Sequence, residues 1–156
     1  MSVTDPAKTS SAARKARLST LAKAPAGRLL ALWSAHAPEA PAHDLLRAPE
    51  IGTVMVRGRA GATGAPFNLG EMTVTRCSVR LASGTVGHGH VQGRDREAAR
   101  AAALIDALCE DGQGDALEAA ILAPLRSEAE ANRTARAARA AATKVEFFTM
   151  VRGDNA

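Results

Sequence analysis

Apolar residues in the first third of the chain recur at helical spacing between proline breaks. Residues 14–23 predict a helix that ends before Pro25. Residues 27–36 predict a second short helix with a leucine-rich stripe, and the segment APEAPAH ends it. Residues 1–13 are small and polar and lack periodicity, so they predict a disordered tail.

The middle third changes to the alternation of apolar and polar residues that is typical of strands. The run DLLRAP predicts a short helical turn with Asp44 as its N-cap, and EIGTVMVRGR at residues 50–59 predicts the first strand. Residues 71–82 and 85–92 predict two more strands, joined by a tight turn at residues 83–84. The middle of the chain is therefore predicted to be an antiparallel meander.

Helical spacing returns after the meander. Asp95 is the predicted N-cap of a helix that runs to about Glu110, and EDGQGD separates it from a second helix. Pro124 is expected to break or kink that second helix, so the Arg- and Ala-rich run at residues 125–143 is predicted to be a separate helix. The last apolar run, VEFFTMVRGD, predicts a strand.

Length and composition indicate one domain with a thin core. Residues 14–156 are predicted to form a single α+β domain, in which an antiparallel sheet packs with N-terminal and C-terminal helices. The sheet consists of the meander around residues 51–92 and the C-terminal strand. Of the 156 residues 46% are hydrophobic, but only 3% are aromatic and much of the apolar fraction is alanine. Because alanine buries little area, we expect the chain to gain much of its stability from partner proteins.

The charge distribution predicts a local positive field in the middle of the chain. The formal net charge is +4, and seven arginines lie between residues 51 and 100 against three acidic residues. A GC-rich genome would explain the general abundance of arginine and alanine, but not this clustering. The cluster suits an anionic ligand or an acidic partner surface. Nucleic acid is disfavoured, because base-stacking aromatics are nearly absent and no binding motif occurs.

The two cysteines and the absence of long apolar runs predict a cytoplasmic protein. Cys77 and Cys109 stand apart with no CxxC pair, so both thiols are expected to be reduced. The N-terminus lacks the apolar run of a signal peptide, and no segment approaches the length of a membrane span.

The loop RGRAGATGAPFNLGE has the glycines that a phosphate cradle needs, at positions 58, 61, 64 and 70. It lacks the lysine of a Walker loop, and it is followed by a predicted strand where a nucleotide loop leads into a helix. A structural or partner-contacting loop is therefore the favoured interpretation. Glu71, at the end of the loop among arginines, is expected to form a salt bridge rather than to act as a general base.

Arginines are predicted to share faces of the sheet. Arg57 and Arg59 lie on one strand face, and Arg76 and Arg80 lie on another. A two-residue turn at residues 83–84 would place Arg80 opposite Gly87 and Ser78 opposite Gly89. Such a face could hold a carboxylate or a phosphate, or could be an ordinary solvated or interface surface with salt bridges.

The same predicted register brings Cys77, His88 and His90 together on one face. Two imidazoles and a thiolate could hold zinc, but a fourth ligand is missing. Histidines two positions apart on an apolar sheet face are more often core or interface residues, so the trio is a weak metal candidate.

Three segments carry a resemblance to a known family. APEIGTVMVRGRAGATGAPFNLGEMTVTRCSVRL, VGHGHVQGRD and ATKVEFFTMVRG resemble the PhnG family, a subunit of the bacterial carbon-phosphorus lyase core complex. The resemblance extends from about Arg14 to Gly153.

The resemblance implies a subunit that works in organic phosphonate catabolism. It implies assembly with PhnI, PhnH and PhnJ, transient association with PhnL, and no contact with nucleic acid or membrane. The complex would transfer a phosphonate onto C1′ of ATP with release of adenine, forming α-D-ribose 1-phosphonate 5-triphosphate. ATP would be a substrate of the complex, and this chain alone would bind no cofactor.

Two roles are compatible with this implication. The chain is either a non-catalytic or accessory subunit without activity alone, or a subunit that donates Arg and His groups to the triphosphate or phosphonate site. We assign no catalytic residue to it. The candidates for contact with an anion or an interface are Arg57, Arg59, Gly61, Gly64, Asn68, Glu71, Arg76, Arg80 and His88. The residues expected at an interface are Phe67, Phe147, Phe148, Met150 and Arg152.

Overall fold

Helices cover one face of a three-stranded sheet in the computed structural model, which describes residues 6–144. The antiparallel sheet has the strand order β1-β2-β3, and this confirms the predicted meander and the α+β class. The strands are β1 (His43–Arg59), β2 (Pro66–Leu81) and β3 (Val86–Gln92). The helices are α1 (Pro6–Lys23), α2 (Ala26–His36), α3 (Arg96–Leu108), α4 (Gly114–Leu117) and α5 (Ala123–Ala142). Within the described residues, no helix is long and apolar enough to cross a membrane.

Helix α3 is the central element of the core. Asp95 caps it as predicted, because its side chain accepts a hydrogen bond from the Ala98 N–H at 2.9 Å. The helix packs on β2 and β3 and also touches α1 and α2, so that nearly all its residues after Glu97 are buried except Arg100. Leu104 and Ile105 are among the largest side chains that it buries.

Glycines allow strand β3 to lie against the backbone of α3. A Cβ atom at Gly87 would come 2.1 Å from the Ala103 carbonyl oxygen, and one at Gly89 would come 2.2 Å from the Ala99 carbonyl oxygen. No side chain fits at either position unless the helix moves away. The thin core expected from the composition therefore takes the form of a close glycine–alanine contact between strand and helix.

An ion-pair network joins α1 to α3 at the outer edge of β3. The Asp106 side chain is fully buried and accepts hydrogen bonds from Arg14 Nη2 at 2.7 Å and Arg17 Nη2 at 2.9 Å. It also accepts the backbone N–H of His88 at 3.0 Å, and Arg14 donates to the Val86 carbonyl at 3.3 Å. The network thus satisfies polar groups on the edge of β3 that would otherwise be open to pairing.

Helix α1 begins earlier than the sequence predicts. Residues 6–13, which we assigned to a disordered tail, form its first turns, and residues 1–5 lie outside the described part of the chain. The segment contains three alanines, which favour helix, and Pro6 at its first position, and the Arg14 and Arg17 contacts hold the next turns against α3.

The predicted helical turn at DLLRAP is wrong, because these residues are the start of β1. Pairing with β2 supplies the backbone hydrogen bonds, and Asp44 lies opposite Arg80, with 2.9 Å between Oδ2 and Nη2. The pairing is irregular between Leu45 and Glu50. Pro49, which has no N–H to donate, lies within this irregular part of an edge strand.

The predicted turn between β2 and β3 is too short. Residues 82–85 connect the strands, Gly84 has φ of +92°, and the Leu81 N–H donates to the Thr85 carbonyl at 2.9 Å. Arg80 therefore pairs with Val86, and Ser78 pairs with His88. Since side chains alternate between faces, this difference of one residue exchanges the inner and outer positions of β3 relative to the prediction.

The C-terminal helices follow the predicted pattern more closely. Leu117, Ile121 and Leu125 are all buried, as their helical spacing indicates. The predicted separate helix after Pro124 is wrong, because α5 follows directly on a π-helical turn at Glu118–Leu122 and the backbone is helical from Gly114 to Ala142, with Pro124 in the first turn of α5. The predicted C-terminal strand lies outside the described residues.

Candidate functional site

The distal parts of β1 and β2 form a hairpin that extends beyond the rest of the sheet. Strand β3 pairs only with Val74–Arg80 of β2, so residues 53–59 and 66–73 make a two-stranded ribbon. We call these two segments and the turn between them the arm. An isolated two-stranded hairpin is only marginally stable in water, and three or more strands or a packed helix are normally needed.

The arm carries most of the exposed large hydrophobic side chains in the described part of the chain. Phe67 and Leu69 lie over Gly58, where an added Cβ atom would meet them at an ordinary contact distance of 3.7–3.9 Å. Leu69 is 66% exposed and Met55 is 54% exposed. The seven such residues are Leu45, Leu46, Ile51, Val54, Met55, Phe67 and Leu69. Four of the seven belong to the arm, which makes the arm a candidate interaction element.

The glycines at the tip of the arm serve the turn. Gly61 has φ of +57° inside the short helical turn Ala60–Ala62, a conformation that favours glycine. The Gly64 N–H donates to the Ala60 carbonyl at 2.9 Å, and a Cβ atom at Gly64 would come 2.7 Å from that oxygen. Arg59 Nη1 donates to the Gly64 carbonyl at 3.2 Å and closes the loop. The geometry favours the structural interpretation of this loop over a phosphate cradle.

The other candidates on the arm lie below its tip. Arg57 pairs across the ribbon with Asn68, and Leu69 is an extra residue in β2 at a bulge. Glu71 lies opposite Met55 and, within residues 6–144, forms no ion pair. The expected salt bridge between Glu71 and the loop arginines is therefore not formed, because the strand continues straight past Glu71 and carries it away from the tip.

A second group of candidates meets on the sheet face that points away from α3, which we call the open face. Arg76, Arg80 and His88 share it with Ser78 and His90. Each arginine has an acidic partner on β1: Arg76 Nη2 lies 2.8 Å from Glu50 Oε1, and Arg80 Nη2 lies 2.9 Å from Asp44 Oδ2. Ser78 Oγ and His88 Nδ1 are 2.9 Å apart. The structure thus brings together Arg76, Arg80 and His88 but leaves Arg57 and Arg59 on the arm.

Cys77 lies on the opposite side of the sheet from the two histidines. Its side chain is buried against the helices, and Sγ donates to the Arg47 carbonyl at 3.4 Å. Burial raises the pKa of this thiol, so it is a poor source of thiolate. The weak metal candidate Cys77, His88 and His90 is therefore not assembled, and no group of three possible metal ligands occurs in the described part of the chain.

Several candidates fall outside the structure. Phe147, Phe148, Met150 and Arg152 belong to the segment after residue 144, beyond the described residues. Phe67, the remaining interface candidate, is 45% exposed on the arm.

Sequence reasoning missed the network around Asp106. The acidic residue Asp106 within the apolar run AAALIDALC is the one signal that the sequence offers, since a carboxylate amid apolar helix positions needs a partner when buried. The identity of that partner depends on the packing of α1, which helical periodicity does not specify.

Comparison with known proteins identifies relatives over almost the whole chain. The family model described as phosphonate metabolism protein PhnG matches residues 12–153. A protein of Rhizobium meliloti (strain 1021), named alpha-D-ribose 1-methylphosphonate 5-triphosphate synthase subunit PhnG, is 43% identical over 155 residues. The alignment covers 97% of this chain and 99% of the relative.

Proposed function

Because the chain belongs to the PhnG family of phosphonate metabolism proteins, we propose that it is an accessory, non-catalytic subunit of a ribose 1-methylphosphonate 5-triphosphate synthase complex. The name of the Rhizobium relative supports the complex, and near-complete coverage of both chains supports an equivalent role. In this proposal the complex replaces the adenine of ATP with a phosphonate at C1′.

The proposal includes the partners that the resemblance implies. This chain assembles in the cytoplasm with PhnI, PhnH and PhnJ, and transiently with PhnL, and it supplies no cofactor of its own. ATP is a substrate of the assembled complex. The reacting atoms are handled by neighbouring subunits, while this chain completes and positions the assembly.

The observation that carries the accessory role is the arm. It places apolar side chains in solvent on a two-stranded ribbon that lacks the third strand or packed helix that such ribbons usually need. Burying Val54, Phe67 and Leu69 against a partner would remove this apolar surface from water and would rigidify the ribbon in one step. A protein that worked alone would gain nothing from exposing it.

Charge and apolar surface are combined near the end of the arm. Arg57 is exposed and forms no ion pair within the described residues, and Arg59 is also exposed. A partner groove with an apolar floor and acidic rims would match the arm.

The test is co-purification of the chain with PhnI. We expect Leu69→Asp to abolish co-purification, because it places a carboxylate against the apolar floor of the partner's groove. Leu46→Asp is the matched control. Leu46 lies on β1 and is 50% exposed, but it is outside the arm, so its variant should co-purify normally. Normal assembly of Leu69→Asp would refute the docking role of the arm.

One observation favours the alternative, in which this chain donates groups to the substrate. Arg76, Arg80 and His88 share the open face, next to the base of the arm. Arg76→Lys and Arg80→Lys keep the charge but lose bidentate geometry. If either variant forms an intact complex that has lost turnover, this chain donates groups to the substrate. Unchanged turnover in both variants would support the accessory role.

A further inference from the structure

Two rows of polar side chains cross the open face where all three strands are paired. Glu50 pairs with Arg76, which pairs with His90, and Arg47 pairs with Ser78, which pairs with His88. Residues paired directly across a sheet have Cβ atoms about 5 Å apart. We call Arg47, Arg76, Ser78, His88 and His90 the histidine patch.

The histidine patch has more positive than negative charge. Arg76 Nη2 and Arg47 Nη1 both reach the same oxygen of Glu50, at 2.8 and 3.2 Å, so one carboxylate serves two guanidinium groups. Arg80 and Asp44 are paired with each other and add no net charge. Burial, together with Arg76, His88 and Arg47, lowers the pKa of His90, which reflects the positive potential at this ring.

The patch also has hydrogen-bond donors that are not in use. Arg76 Nε is buried without a hydrogen-bond partner. If the Ser78 hydroxyl donates to His88 Nδ1, the ring hydrogen of that histidine is on Nε2. His90 is exposed on the neighbouring row. A ligand on the open face does not reach this buried Nε, but it can reach the exposed part of the Arg76 side chain, which is 35% exposed, and the exposed ring of His90.

The backbone beneath the histidines is held in place from the other side. Gly87 and Gly89 alternate with the two histidines and press β3 against α3. The buried Asp106 accepts the His88 N–H at 3.0 Å and is itself held by Arg14 and Arg17. The imidazoles therefore stand on a strand whose position is fixed, and little ordering is needed when a ligand binds.

We propose that the histidine patch binds a phosphoryl oxyanion, such as a phosphate, phosphonate or diphosphate group. Two imidazoles on β3 and the guanidinium of Arg76 on β2 are neighbours on the open face, and three N–H-bearing groups match the three terminal oxygens of a phosphoryl group better than the two oxygens of a carboxylate. This site shares Arg76 and His88 with the alternative function given above and rests on it for its ligand class, but it is tested on the isolated chain, so the accessory role can fail or hold separately.

The experiment is a titration of the full chain with pyrophosphate at constant ionic strength, followed by the imidazole proton signals in NMR. We expect the signals of His88 and His90 to move, and the lowered pKa of His90 to rise when the anion is bound, because a nearby negative charge favours imidazolium. ATP should bind about as tightly as pyrophosphate if only phosphoryl groups are recognised.

Variants that are expected to change the affinity for pyrophosphate in opposite directions make the test specific. Arg76→Lys and His90→Gln should weaken pyrophosphate binding about fivefold each, as expected for one exposed charged contact. Glu50→Gln should strengthen it by a similar factor, because the competing carboxylate is removed. Glu130→Gln is the matched control, since Glu130 also pairs with an arginine, Arg133, but on the exposed surface of α5. All four positions are at least partly exposed, so amide spectra should show intact folds.

Three outcomes would overturn the proposal. Equal affinity of Arg76→Lys, His90→Gln and the unmodified chain would exclude the patch as the site. An equal gain in Glu50→Gln and Glu130→Gln would indicate a general charge effect. Acetate that binds as tightly as pyrophosphate would contradict the preference for phosphoryl groups.

Discussion

Asp106 joins three elements through one carboxylate. It holds Arg14 and Arg17 of α1, lies on α3, and accepts the His88 N–H of β3. Burial alone would raise the pKa of Asp106, but the hydrogen bonds from Arg14, His88 and Arg17 outweigh it and lower the pKa below its ordinary value. The ionised form is therefore the one that stabilises the fold.

Asp106→Asn should destabilise the protein by about 3 kcal/mol, because it leaves two arginines without their buried partner. Urea unfolding at pH 7 measures this. Asp44→Asn is the control: its ion pair with Arg80 is exposed, and its loss should cost less than about 1 kcal/mol.

The same carboxylate predicts an acid dependence. Since the folded pKa lies below the unfolded value of about 4, its contribution is present above pH 4 and is lost as the pH falls through the folded pKa. We expect the stability of the unmodified chain to decrease below pH 4, and that of Asp106→Asn to decrease less over the same range. Parallel acid profiles for the two proteins would contradict this assignment.

Gly87 is the position where a single methyl group should be most disruptive. Its added Cβ would meet backbone atoms of Ala103 and Ala107 at 2.1 and 2.4 Å, which cannot move without moving α3. We expect Gly87→Ala to lower the free energy of unfolding by about 3 kcal/mol. Gly70→Ala, in the same sheet but with open space around it, should change stability by less than about 1 kcal/mol, and similar values for the two would argue against the close contact.

At the scale of elements, the sequence predicts helices better than it predicts strand pairing. The periodicity of α2 and α3 and the Asp95 cap are local signals, so α2 and α3 are recovered to within two residues at each end. The start of β1 and the register of β3 depend on partners that are distant in sequence. DLLRAP has no strand alternation of its own. The sequence at residues 82–85 is compatible with more than one loop length, and loops that differ by one residue turn opposite faces of β3 outward.

The arm should be the least protected element of the sheet in the isolated chain. Residues 53–59 and 66–73 lack a third strand, so we expect their amide hydrogens to exchange faster than those of Val74–Arg80. Hydrogen–deuterium exchange with mass spectrometry checks this. Under the proposed function, the arm should become protected in the complex, whereas β3 should change little. An arm that is fully protected in the isolated chain would show that it does not require a partner.

At the scale of the whole molecule, the described residues divide into a packed part and an extended part. The packed part places α3 between the sheet and the other helices, and its contacts are made largely by alanine, glycine and leucine. The composition predicted this thin core but not its location. A run of small residues indicates that an element can be approached closely, but it does not show which other element packs against it. The candidate site divides in the same way: Arg76, Arg80 and His88 meet on the open face, whereas the arm candidates stay apart from them.

The free chain should be markedly less stable than the assembled one. Burial of the arm by a partner stabilises only the folded state, so thermal unfolding should shift upward as PhnI is added. A shift of several degrees is expected for about 2 kcal/mol of added stability. Leu69→Asp should unfold at the same temperature with and without PhnI. A free chain that is highly thermostable and unaffected by PhnI would refute the dependence on a partner.

The connection at residues 82–85 has a consequence for how this protein can evolve. Its length alone decides which residues of β3 face outward, so the loss of one residue there would turn both imidazoles toward the alanine helix and expose the glycines. A surface loop normally tolerates insertion and deletion, but here such a change would remove the helix contact and the outward histidines together. Selection should therefore conserve the length of this loop more strictly than its composition.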